Sequence, residues 1–201
     1  MKRRVSALLL ALTPQTAVAH GALAGGGGFY AGLAHPFLAW EHTILLIGLG
    51  LLLGGLERVK ARLPLIGLLI GLGSGLAFGP TLALAGSATI VLLLAILTGA
   101  ALALALRLPV ALLAVLALCT GNAIGLDTGV PPPPSAAAIE LYAPYVGVIV
   151  GAFLIVLNAM ALASVATRPV FAIAVRMAGS WIIAIALMVL ALHLRPLTGA
   201  P

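Results

Sequence analysis

The chain has 201 residues, 63% of them hydrophobic and only 7% charged, a composition that excludes a water-soluble globule. Its formal net charge of +6 does not point to nucleic acid, because the 10 Lys and Arg are scattered between apolar runs instead of forming a patch. The lone cysteine, Cys119, excludes an intrachain disulfide and a thiolate cluster.

Runs of about 20 apolar residues, the length that crosses a hydrocarbon core, recur along the chain. The expected fold is an all-α polytopic membrane helix bundle of about six transmembrane helices, following a cleavable signal peptide. The first stretch, MKRRVSALLLALTPQTAVAH, carries basic Lys2, Arg3 and Arg4, a short apolar run from Val5 to Leu12, and the small-x-small site Ala17, Val18, Ala19. The competing reading is an uncleaved signal anchor, although the apolar run is too short to span. Residues 1–19 are expected to leave, and 20–201 to form one six-span domain. The mature chain would begin at His20, where a free amine beside an imidazole either binds metal or is incidental.

After the glycine-rich GALAGGGG, spans are expected at 34–55, 64–85, 88–106, 109–126, 140–166 and 169–194. Pro64, Gly86-Ser87, Pro109, the proline run 131–134 and Pro169 punctuate them. The first span opens AHPFLAWEHTILL, placing His35, Glu41 and His42 at the front of an apolar helix. Ionisable groups cost about 2.5–3.5 kcal/mol at a helix centre in a bilayer, less near its surface, so their presence needs a reason. On a regular helix His35 and His42 share a face about 10 Å apart, too far for one metal ion unless the chain bends. Pro36 supplies a reason for a bend, by pushing His35 toward extended geometry at the helix start. Glu41 points about 100° away from His42, so the two need not serve one ligand. Structural roles are the alternatives: His35 at the headgroup level, His42 as a hydrogen-bonded packing histidine.

In the second span Gly67, Gly71, Gly75 and Gly79 recur every fourth residue, which lets a neighbouring backbone approach closely. Gly121 and Gly125 in the fourth span and Gly147 and Gly151 in the fifth repeat the device. The fourth span ends CTGNAIGLDTG, in which Thr120, Ile124 and Asp127 fall on one helical face. Up-and-down threading brings this end to the surface where the first span begins, so Thr120, Asn122 and Asp127 are candidates to converge with the histidines and Glu41. Asp127 serves equally as a plain loop residue. Glu140, Asn158 and His193 read as structural, and Arg176 either snorkels or pairs with Asn158.

With the N-terminus exported, Arg58, Lys60, Arg62, Arg107 and Arg168 fall on the cytoplasmic side, with Arg176 two turns into the last span. The outer loops hold Asp127 and Glu140 but no Lys or Arg, and Arg195 lies in the outer tail. This positive-inside pattern places the protein in a bacterial inner (cytoplasmic) membrane with its mature N-terminus extracytoplasmic.

These residues resemble the HupE/UreJ family of hydrogenase and urease accessory membrane proteins, proposed nickel or cobalt transporters. The likeness covers the AHG start, GFYAGLAHP, the six-span plan and the first-span motif. That family carries a His, five residues, then Asp-His; His35 and His42 match, and Glu41 replaces the aspartate. The resemblance implies that these three residues handle a cation. The family's second motif, Phe-His-Gly-x-Ala-His-Gly-x-Glu, is matched in frame by Gly121, Ala123 and Gly125, with Asp127 standing for the glutamate. Thr120 and Ile124 replace both histidines, removing two good nickel ligands.

Two functions follow. One is a secondary transporter or permease for a divalent transition-metal cation, with His35, Glu41 and His42 at the outer site and Asp127 as a ligand from another span. The other is a non-transporting accessory protein that binds metal or a partner subunit in the membrane. No permanent cofactor, no nucleic acid and no enzymatic chemistry is expected: there is no Cys-x-x-Cys-His for haem, and no nucleophile–base pair.

Overall fold

The computed structural model describes residues 28–82, 86–128, 138–165 and 169–193. Among them every regular element is a helix: α1 Gly28–Leu38, α2 Trp40–Leu53, α3 Arg58–Leu82, α4 Ser87–Ala103, α5 Val110–Thr128, α6 Ala138–Val165 and α7 Pro169–His193. The expected signal peptide, His20, the proline run 131–134, Arg168 and Arg195 lie outside the described residues. Arg58–Leu82, Val110–Thr128, Tyr142–Val165 and Val170–His193 are each long and apolar enough to cross a membrane, and α1 with α2 makes a fifth span if the pair is counted as one. The apolar α4, at 17 residues, occupies the place of the third expected span.

The first expected span differs most from its reading as a single helix from 34. The chain is already helical from Gly28, and it breaks at Ala39, where α1 and α2 meet at 75°. Pro36 lies in the last turn of α1; it removes the bond its nitrogen would make to Gly32 and crowds that carbonyl. His35 stays helical, and the extended residue is Ala39, with φ −80° and ψ 91°. The break strands carbonyls that a continuous helix would use. The Thr43 hydroxyl serves one of them, donating to Pro36 O, while Ala39 O accepts the Thr43 backbone N–H at 3.0 Å.

Pro64 does not start the second span either. Helix α3 begins at Arg58 and carries Pro64 and Pro80 within it, so Lys60 and Arg62 sit on its first turns instead of in a loop.

Helix α2 is the centre of the bundle. It packs against α6 and α4, with further contacts to α7 and α5, and Leu45, Leu46, Leu49 and Leu53 are fully buried in the core. Around it stand three tight pairs: α3 with α5, α1 with α6, and α4 with α7. Small residues make these pairs close. A Cβ added to Gly71 would come 2.1 Å from the carbonyl oxygen of Leu118, and one on Gly121 would come 2.4 Å from that of Leu68. Gly147 approaches Phe29 O in the same way, so the glycine stripes serve backbone-to-backbone packing.

The contacts also give the helix directions. Gly67, Gly71 and Gly75 meet residues 114, 118 and 122 in rising order, so α3 and α5 run parallel; α1 and α6 do too, whereas Gly99 and Gly179 join α4 and α7 antiparallel. One end of the bundle therefore gathers the α1–α2 break, the start of α4 and the end of α5. The opposite end holds Arg58, Lys60, Arg62, Arg107 and Arg176. There the Arg176 Nε donates to Ala103 O at 3.1 Å, closing the C-terminus of α4, while Asn158 bonds back to Leu154 O of its own helix. Of the two readings of Arg176, the pairing with Asn158 is not the one seen: each side chain bonds a main-chain carbonyl instead.

Candidate functional site

The bend removes the obstacle that a straight helix would set. His35, on the last turns of α1, and His42, on the first turn of α2, are buried, with ring centroids 5.5 Å apart and planes tilted by 59°. Opposite them, the last turn of α5 presents Asp127. Its Oδ2 accepts from His42 Nε2 at 2.9 Å, across 85 residues of sequence, and both side chains are almost wholly shielded. Glu41 completes the group: one donor atom each from Glu41, His42 and Asp127 lies within 4.8 Å of the others.

These distances suit a cation. Metal ligands at about 2 Å from one ion stand roughly 3–4 Å from each other, so small side-chain adjustments would bring the three onto a single centre. The chemistry is nitrogen and carboxylate oxygen without sulfur, since Cys119 is exposed elsewhere on α5. His42 Nδ1 is buried and has no hydrogen-bond partner among the described residues. An ion seated between His42 Nε2 and Asp127 Oδ2 would replace the hydrogen bond between them and take both atoms as ligands.

The polar residues beside Asp127 on α5 divide. Asn122 donates to Ser74 Oγ of α3 at 3.0 Å and so belongs to the α3–α5 seam. Thr120 and Ile124, in the places of the family's two histidines, are fully buried; the Thr120 hydroxyl has no hydrogen-bond partner among the described residues. Ser87, which sequence reading treated as turn punctuation, reaches the site instead. It is the first residue of α4, and its hydroxyl donates to Asp127 Oδ1 at 2.5 Å. The sequence signal was a serine at a helix start, which ordinarily caps its own helix; nothing in it pointed to a carboxylate 40 positions away.

The arrangement is that of a helical membrane protein with a buried imidazole–carboxylate cluster at one end of its bundle. Residues 8–189 match the HupE / UreJ protein family model, nearly the whole chain, and the protein belongs to that family. No curated protein and no solved structure matches it.

Proposed function

We propose that the protein is a six-span secondary transporter or permease for a divalent transition-metal cation of the nickel or cobalt kind, taken up at an extracytoplasmic site of His35, Glu41, His42 and Asp127. The observation that carries this reading is the convergence of two carboxylates and a buried imidazole, from α2 and α5, beside a second buried imidazole from α1. Two carboxylates match the charge of a dication, which a low-dielectric bundle could not otherwise hold. Imidazole selects transition metals over magnesium or calcium. Among the described residues, Arg58, Lys60, Arg62, Arg107 and Arg176 lie at the far end of the bundle, which the positive-inside rule assigns to the cytoplasm. A cation entering from the cluster's side then moves down the membrane potential, gaining about 2.3 kcal/mol per charge per 100 mV.

Glu41→Gln tests the reading. The variant is expected to insert normally and to lose metal uptake by cells; unchanged uptake would remove the proposal. The accessory reading draws on Thr120 and Ile124, which offer no strong ligand along α5 beneath Asp127. It predicts unaltered metal accumulation in cells lacking the protein, together with failed assembly of a membrane partner.

A further inference from the structure

We propose that Ser87 is a positioning residue of the cation site, a role that rests on reading the Glu41–His42–Asp127 cluster as that site. Asp127 stands on the last turn of α5, and its two oxygens are held by different helices. Oδ1 accepts from Ser87 of α4 at 2.5 Å, and Oδ2 accepts from His42 of α2 at 2.9 Å. An ionised carboxylate only accepts, so the serine hydroxyl is necessarily the donor, and the separation is that of a charge-assisted bond. Fixing Oδ1 turns Oδ2 toward the imidazole and orients the ring in turn.

The start of α4 is built for this. Gly86 precedes it at φ +104°, a left-handed conformation that favours glycine, and it makes no side-chain cap. The Ser87 hydroxyl is directed to a neighbouring helix, and the carboxylate it holds lies at the positive end of the α4 dipole. A neutral hydroxyl is a weak metal ligand; as a donor it supports the ligand it touches, and losing such support typically costs about 10–100-fold in metal affinity.

Threonine and valine are isosteres that differ here by the hydroxyl, so Ser87→Thr and Ser87→Val separate hydrogen bonding from bulk. Purified wild type and both variants would be titrated with Co2+, reading affinity and the visible ligand-field spectrum, with helical circular dichroism as the check on folding. Ser87→Val is expected to weaken Co2+ binding about 10–100-fold and to alter the spectrum, while Ser87→Thr stays within about threefold of wild type. Should Ser87→Val fail to fold, Ser87→Ala removes the same hydroxyl with less change in bulk, and the same loss is expected. Wild-type affinity and spectrum in the hydroxyl-less variant would overturn the proposal, as would equal losses in Thr and Val. A wild type that binds no Co2+ would overturn the cation-site reading itself, and this proposal with it.

Discussion

Asp127 meets three requirements at one position: it neutralises charge, accepts from His42 and accepts from Ser87. Asp127→Asn preserves its shape but removes the charge and turns one acceptor into a donor, facing two groups that both donate. The variant is expected to insert with unchanged helix content and to bind Co2+ at least about tenfold more weakly, measured by titration of the purified protein. His42→Ala should weaken binding equally and also lower thermal stability in detergent, because it opens a cavity at a fully buried position and leaves the carboxylate without its imidazole. At this scale the sequence was informative about residue type. His35, Glu41 and His42 stood out because ionisable groups are costly in a bilayer, whereas Asp127 was a candidate through its helical face and the second motif and read equally as a plain loop residue. Ser87 did not stand out, since a serine costs little there and its partner is set by packing.

At the scale of elements, the break at Ala39 brings the two histidines together. Thr43 holds it, its hydroxyl donating to Pro36 O and its backbone N–H to Ala39 O. Thr43→Val is expected to cost about 1 kcal/mol by orphaning the Pro36 carbonyl, seen as a lower midpoint of thermal unfolding, and to loosen His35 relative to His42. Pro36 announced a bend in the sequence but not its place: the ring disturbs the turn before it, whereas the extended residue follows three positions later. The glycine stripe was legible as close packing, though not as a parallel α3–α5 pair. It permits a paired test on one helix. Gly71→Ala drives a methyl into the Leu118 carbonyl and is expected to destabilise by about 1–3 kcal/mol or more, whereas Gly73→Ala, with nothing within 4 Å, should be neutral. Size-exclusion recovery after heating distinguishes them.

For the whole molecule, apolar length and proline punctuation located the helices to within a few residues, because bilayer thickness leaves little freedom. They misplaced the starts of the first two spans, since a helix tolerates Pro36 and Pro64 when neighbouring helices hold it. Polarity along the bundle axis follows from the helix directions: the cluster lies at one end and the described Lys and Arg residues at the other. In a Cys119→Ser background, Leu82→Cys, at the cluster's end, is expected to react with an impermeant maleimide added outside intact spheroplasts. Arg107→Cys should react only after lysis. The reverse pattern would invert the orientation and with it the direction of uptake.

The most direct test of the account is equilibrium titration of the purified protein with nickel and cobalt, comparing wild type with a His35→Ala/His42→Ala double variant and with Asp127→Asn. The account predicts saturable binding of a single divalent ion per chain in the wild type, abolished by changes on either side of the cluster, although they lie on different helices. Full binding in both variants, or none in the wild type, would contradict it.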